Sequence, residues 1–247
     1  MNVTTAIWVT GKHPVEELLG SGMQEARKVL LSVSAPPEVK AKIEQMARER
    51  EIPCLFCTKE EWERRTGERE GGGVAAEIAG FKYADIEDLT GNLKETSRVF
   101  LLDGVTDPQN LGAILRSVRA FSFDGVVIPA DRSCPVTGAV FRASAGAAAH
   151  VQVIQVTNLV RAIERLKEAD FWVYAAQERS GTDLAGFKPA KRTAVVLGSE
   201  EKGIRRLALE KCDATLRIGM APGMDSLNVS VSAGIFAFAL AVPGENR

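Results

Sequence analysis

Three stretches in the second half of the chain put polar and ionisable side chains where a strand hands over to a helix. The first is Leu101-Leu102-Asp103-Gly104-Val105-Thr106-Asp107-Pro108-Gln109-Asn110-Leu111-Gly112-Ala113-Ile114-Leu115-Arg116. A buried-type strand runs into a polar loop, and the loop runs into a helix. Pro108 stiffens the loop, and Asn110 is a residue type that caps helices. Arg116 follows Ala113-Ile114-Leu115 on a helix whose apolar side should pack on a sheet. It can snorkel to solvent or aim its guanidinium at a phosphate, and spacing leaves both readings open. Residues six apart are about 240° apart around an ideal helix. Asn110 and Arg116 therefore converge only if Asn110 sits in the loop or cap.

The second stretch is Val195-Val196-Leu197-Gly198-Ser199-Glu200-Glu201-Lys202-Gly203-Ile204. A strand ends in a glycine, an acidic turn follows, and a glycine opens the next helix. Gly198 permits close approach of the backbone to a ligand. The third stretch, Leu216 to Gly234, follows a strand with a loop rich in Gly, Pro and Met. Ser226 and Asn228 can then satisfy amides at a helix start. The small residues Ser230, Ser232, Ala233 and Gly234 allow another backbone to come close. This segment reads either as a close-packed helix end or as a pocket for a flat, mostly apolar ligand held by backbone groups. Neither a G-x-G-x-x-G after a strand nor a Walker-type ending is present, so the usual dinucleotide and phosphate-loop anchors are missing.

The elements that must position these residues alternate. Strands are expected at Val99–Leu102, Gly125–Ile128, Val151–Val156, Phe171–Ala175, Ala194–Leu197 and Ala214–Ile218. Helices are expected at Asn110–Phe121, Thr137–Ala148, Asn158–Glu168, Gly203–Leu209 and from about Ser226 to Val242. Such alternation implies a mostly parallel sheet covered on both faces, with ligands beyond the carboxyl ends of the strands. The front of the chain reads as a smaller α/β unit. Its strands are Ala6–Thr10, Val29–Val33, Ile52–Cys57 and Val74–Ile78, and its helices are Lys12–Leu19, Pro37–Arg50 and Lys59–Thr66. The expected division is a small domain over 1–80, a polar linker with a helical turn over 81–97, and a larger domain over 98–247.

Composition narrows the class without naming a partner. The 247 residues are 45% hydrophobic and 26% charged, ordinary for a soluble globular protein. No run approaches the roughly 20 apolar residues of a membrane helix. The first residues lack a basic region followed by an apolar run, so the expected compartment is the cytoplasm. The formal net charge is -1, so any nucleic-acid surface must be a local patch. The four cysteines and two histidines give no zinc set. Cys54 and Cys57, on opposite faces of a short strand, read as small buried hydrophobes, and His150 reads as structural. No metal is expected.

Together the three stretches resemble the SpoU family of the SPOUT class, RNA 2′-O-ribose methyltransferases. Asp107-Pro108-Gln109-Asn110-Leu111-Gly112-Ala113-Ile114-Leu115-Arg116 resembles the first family motif, Leu197-Gly198-Ser199-Glu200 through Gly203 the second, and Ile218-Gly219-Met220 through Ser226-Leu227-Asn228-Val229-Ser230 the third. Gly11-Lys12-His13-Pro14-Val15-Glu16-Glu17-Leu18-Leu19 resembles the opening of the small RNA-binding domain that precedes the catalytic domain in one branch. Where that branch often has His-Gln-Gly, this chain departs with Glu70-Gly71-Gly72-Gly73. The resemblance implies an α/β fold with a C-terminal trefoil-knotted, parallel-sheet methyltransferase domain behind a small α/β RNA-binding domain. It implies S-adenosylmethionine as cofactor, contacted by Gly198, Ile218 and Leu227. It makes Asn110, Arg116, Glu200, Ser226 and Asn228 the catalytic or substrate-positioning set. It also implies a homodimer acting on RNA, with a guanosine of large-subunit (23S) ribosomal RNA as the expected target. A transfer-RNA target, and an RNA-binding protein of the same fold without catalysis, are the alternatives.

Overall fold

The computed structural model describes residues 6–69, 72–91, 93–178, 180–199, 201–224 and 226–241. In chain order the elements are β1 (Ile7–Thr10), α1 (Lys12–Gly20), β2 (Ala26–Ser32), α2 (Pro37–Arg48), β3 (Cys54–Cys57), α3 (Lys59–Thr66) and β4 (Val74–Ile78). Next come α4 (Ile86–Gly91), β5 (Ser97–Asp103), α5 (Pro108–Ala120), β6 (Gly125–Pro129) and α6 (Gly138–Ala143). The remainder is β7 (Val153–Val156), α7 (Leu159–Glu168), β8 (Trp172–Ala176), β9 (Thr182–Asp183), β10 (Arg192–Gly198), α8 (Arg206–Lys211), β11 (Ala214–Arg217) and α9 (Val229–Leu240). The chain divides into two compact units, 1–82 with 136–150, and 83–135 with 151–247.

The first unit is built on a four-stranded sheet ordered β1-β4-β2-β3, with β4 antiparallel to both neighbours and β3 parallel to β2. Its helices start and stop where local chemistry dictates. Thr58 caps α3 by accepting from the Glu61 amide at 3.3 Å, and Gly67 ends it in the left-handed conformation. Cys57 is buried as expected, but Cys54 is only half-buried, and Leu55 and Phe56 between them are exposed. The segment 136–150 also belongs to this unit. The single helix expected over Thr137–Ala148 is instead α6 followed by a 3-10 turn at Ala147–Ala149. Ala145 (φ 48°) and Gly146 (φ 87°) turn the backbone left-handed between them. A side chain at Gly146 would bring its Cβ within 2.6 Å of the Glu17 Cβ. Arg142 of α6 donates to Thr10 Oγ1 at 2.8 Å and to the Glu68 carboxylate, and Thr10 Oγ1 donates to Glu68 Oε2 at 2.8 Å. His150 Nε2 lies 2.7 Å from Glu17 Oε2.

The second unit carries a seven-stranded sheet, parallel throughout, ordered β7-β6-β5-β10-β8-β11-β9. Runs such as Val99-Phe100-Leu101-Leu102 and Ala194-Val195-Val196-Leu197 are buried end to end, as strands covered on both faces must be. Two late strands, β10 and β11, lie between strands laid down earlier. The stretch expected as linker contributes to this core: Leu89 of α4 is buried in it, and the Ala84 amide donates to the Val153 carbonyl at 2.9 Å. The last helix begins at Val229 rather than near Ser226, because Asn228 is its cap.

Candidate active site

In the second sheet, β6 and β7 lie to one side of β5, and β10, β8 and β11 lie to the other. The loops after β5 and β10 leave from this reversal of strand order, the place where open α/β sheets bind ligands. Asp103 and Gly198 end these two strands side by side, paired in register. Two cavities open here, of about 440 and 430 Å³.

The first cavity lies over the carboxyl ends of β8, β10 and β11. Its apolar wall includes Leu197, Ile218, Leu227 and Phe236, and the hydroxyl side chains of Ser226 and Ser232 add polar groups. Gly198, Ile218, Leu227 and Ser226, four of the residues singled out in the sequence, all line it. The need for glycine at 198 differs from the expectation. A Cβ there would meet the Gly203 carbonyl carbon at 2.2 Å and the Ile204 nitrogen at 2.4 Å. The close approach is thus to the chain's own returning turn. The Gly203 amide donates to the Ser199 carbonyl (2.8 Å), and the Lys202 amide donates to Ser199 Oγ (3.2 Å).

Asn228 links the third stretch to the first. Its Oδ1 accepts from the Ser230 amide at 2.9 Å and the Val231 amide at 3.4 Å, capping α9. Ser230 Oγ donates to the same oxygen at 2.5 Å. With the oxygen committed to the helix, the Asn228 Nδ2 points away and donates to Asn110 Oδ1 at 2.9 Å. Asn110 is not the cap of α5. Asp107 is, accepting from the Gln109 amide at 3.0 Å, and Pro108 occupies the first helical position. Asn110 therefore lies within the helix and lines the second cavity. Arg116, six residues on, faces a different side of α5, is exposed, and lines neither cavity. Glu200 lies outside the described residues, as do Glu70 and Gly71.

Sequence reasoning passed over Asp103, Arg132 and Arg205. Asp103 is 2% exposed, and both carboxylate oxygens are engaged by Arg205. The Arg205 amide donates to Oδ2 at 2.8 Å, and its Nε donates to Oδ1 at 2.6 Å. The signal was visible, since an acid closes the apolar run Val99-Phe100-Leu101-Leu102. Burial, reinforced by Asp107, pushes the nearby Cys134 thiol up to about 11, so it stays protonated and is no nucleophile. Among the described residues no cluster of His, Cys, Asp and Glu is suited to a metal.

This fold defines an α/β protein with two cavities at the switch point of a parallel sheet. The SpoU rRNA methylase family model matches residues 97–238, more than half of the chain, and the RNA 2′-O ribose methyltransferase substrate-binding model matches residues 8–84. The chain belongs to the SpoU rRNA methylase family, and its class is RNA 2′-O-ribose methyltransferase. A Staphylococcus aureus protein assigned to the TrmH family of tRNA/rRNA methyltransferases is 36% identical over 233 residues, covering 93% of each chain. A Staphylococcus haemolyticus protein so assigned is 36% identical over 235 residues, 94% of each. The SpoU methyltransferase AviRb from Streptomyces viridochromogenes is similar in structure, with TM-score 0.82 at 19% identity over 95% of this chain and 88% of that one. An rRNA methyltransferase from Sinorhizobium meliloti, solved bound to AdoMet, aligns with TM-score 0.80 at 21% identity over 95% and 86%. These likenesses confirm the expected architecture, a small α/β domain followed by the parallel-sheet domain typical of trefoil-knotted SpoU enzymes.

Proposed function

We propose that this protein transfers the methyl group of S-adenosylmethionine to the ribose 2′-hydroxyl of a guanosine in large-subunit (23S) ribosomal RNA, working as a homodimer. The observation that carries the reading is the Asn228–Asn110 hydrogen bond, which joins the edges of two adjoining cavities at the sheet's switch point. The first cavity fits the cofactor in size and in its mix of apolar wall and hydroxyl groups. Gly198, Ile218 and Leu227 would hold it. Bound there, S-adenosylmethionine would supply an electrophilic methyl group, its sulfonium leaving as a neutral thioether.

The chain's own residues must hold the acceptor in line and help the hydroxyl lose its proton. Alignment alone supplies several kcal/mol. Asn110, Ser226 and Asn228 line or border the junction and serve positioning, and Glu200 joins this set through the second motif. A guanidinium is not a proton acceptor in proteins, so the role of Arg116 is electrostatic: it binds the phosphate beside the target ribose and stabilises the developing alkoxide. The proton passes to a phosphate oxygen or water. Because Arg116 lines neither cavity of its own chain, it reaches the ribose through bound RNA or a second copy.

Ribosomal RNA is favoured by the separate substrate-binding domain at the front. A transfer-RNA target has support in the tRNA/rRNA designation of the staphylococcal relatives. The deciding experiment is transfer of labelled methyl to unmodified ribosomal and transfer RNA, followed by nucleoside analysis. The expected product is 2′-O-methylguanosine in large-subunit RNA. Product in transfer RNA alone moves the target, and no transfer despite cofactor binding overturns the catalytic reading. The Arg116→Ala variant is expected to lose turnover while binding S-adenosylmethionine with unchanged affinity, measured by calorimetry.

A further inference from the structure

The second cavity has a mixed lining. Arg132, Lys202 and Arg205 supply positive charge, and Asp103, Asp107 and Glu201 supply negative charge. The acids are not equivalent. Asp103 is buried and spent on Arg205, and Asp107 is tied to the α5 amide it caps. Glu201 stands on the exposed turn after β10. On the cationic side, Arg205 is preset. Its Nε and amide are held by Asp103, which leaves both Nη groups outside that pair. Among the described residues, Arg132 and Lys202 form no ion pair. Arg132 sits in the loop after β6 with a left-handed backbone (φ 59°), unusual for a side-chain-bearing residue. The cavity therefore offers oriented cations beside acceptor groups, the chemistry that holds a sugar and its phosphate rather than a bare anion.

We infer that this cavity is the subsite for the RNA strand being methylated, with Arg205, Arg132 and Lys202 binding the phosphates that flank the target ribose and Asp103 acting as the positioning residue for Arg205. This rests on the proposed function and names residues that the sequence motifs did not. The cavity shares the Ser199–Gly203 turn and Val229 with the first cavity. A ribose in one thus faces a methyl donor in the other.

The phosphate chemistry has a rival source, the carboxylate of the cofactor's amino-acid end, so the test measures both. Binding of an unmodified large-subunit RNA transcript is followed across salt concentration, and S-adenosylmethionine binding is measured separately by calorimetry. Arg132→Ala, Lys202→Ala and Arg205→Ala are compared with Lys188→Ala, an exposed lysine lining neither cavity. Each cavity variant is expected to raise KM for RNA several-fold and to reduce the slope of log affinity against log salt by roughly 0.7, the share of one single-strand phosphate contact. Lys188→Ala leaves both unchanged, and cofactor affinity holds in Arg132→Ala and Arg205→Ala, whose residues line the second cavity but not the first, whereas Lys202 lines both. Asp103→Asn is expected to weaken RNA binding, and to add nothing once Arg205 is alanine. Wild-type KM and slope in all three variants overturn the inference, as does loss of cofactor binding in place of RNA binding in Arg132→Ala or Arg205→Ala. A wild-type protein that binds RNA with the expected slopes but transfers no methyl sinks the catalytic reading and leaves the phosphate assignment standing.

Discussion

Asn228 shows how one side chain can serve folding and chemistry together. Its oxygen caps α9, and its amide nitrogen reaches Asn110. Replacing it with alanine removes a cap worth about 1 kcal/mol, which should lower the melting temperature by about 2–4 °C. Turnover should fall by far more than so small a loss of stability explains. A melt together with methyl-transfer kinetics separates the two effects, and an Asn228→Ala enzyme with normal kcat would leave the residue a cap only. The cysteines make a second prediction. Burial raises the Cys212 thiol to about 12 and the Cys134 thiol to about 11, against an ordinary value near 9. A folded-state value above the unfolded one means the fold holds the proton longer. The associated stability is present below pH 9 and is lost as pH rises through 11 to 12. Denaturant midpoints should therefore decline from pH 8 to pH 10.5, and a Cys134→Ala/Cys212→Ala double variant should decline less.

At the scale of elements, α5 and α9 pack closely because both carry small residues. A Cβ at Gly234 would stand 3.5 Å from Ser117 Oγ, an ordinary contact, and Phe121 meets Phe238 edge to face at 5.9 Å. The far end of α9 is held by a buried cation. Arg98, 5% exposed, donates from Nε to the Leu240 carbonyl at 3.0 Å and from Nη1 to the carbonyls of Ser97 (2.9 Å) and Lys191 (2.6 Å). The Leu240 carbonyl lies at the end of a helix, where carbonyls lack intrahelical donors and a positive charge is favoured. Arg98→Met should cost about 1–3 kcal/mol, the range for buried acceptors left unmatched. Chemical denaturation checks it, and a stability within a few tenths of wild type would mean these carbonyls find other donors.

At the scale of the molecule, α9 is apolar almost all round yet only half covered. Val231 and Phe238, seven residues apart on one side, are 50% and 72% exposed. A helix apolar on every side belongs in a core or an interface, which supports the homodimer proposed above. Val231→Asp with Phe238→Glu should convert a dimer into a monomer in analytical ultracentrifugation. A monomeric wild type would remove this reading, and with it one route by which Arg116 reaches a target ribose.

The sequence by itself determined the elements and their chemical type. Buried strands such as Val99–Leu102 and Gly125–Ile128 were legible because both faces are covered, which leaves uninterrupted apolar runs. The bounds of α3 and β4 emerged as read, since Thr58 and Gly67 punctuate the one helix and a glycine run precedes the strand. The grouping of Gly198, Ile218, Leu227 and Ser226 followed from loops after parallel strands, a consequence of topology that motif order already encodes. What only the tertiary structure decided depends on contacts across long separations. Asp107 took the cap expected of Asn110, which freed Asn110 to meet Asn228, 118 residues away. Ala145 and Gly146 turn left-handed and break the helix expected there, and Glu17 fills the space that a side chain at Gly146 would need. Asp103 and Arg205, 102 residues apart, became an ion pair with a buried carboxylate only because β5 and β10 lie side by side in register. Local preference fixes which backbone a segment favours, and the sheet's strand order alone fixes which of those segments meet.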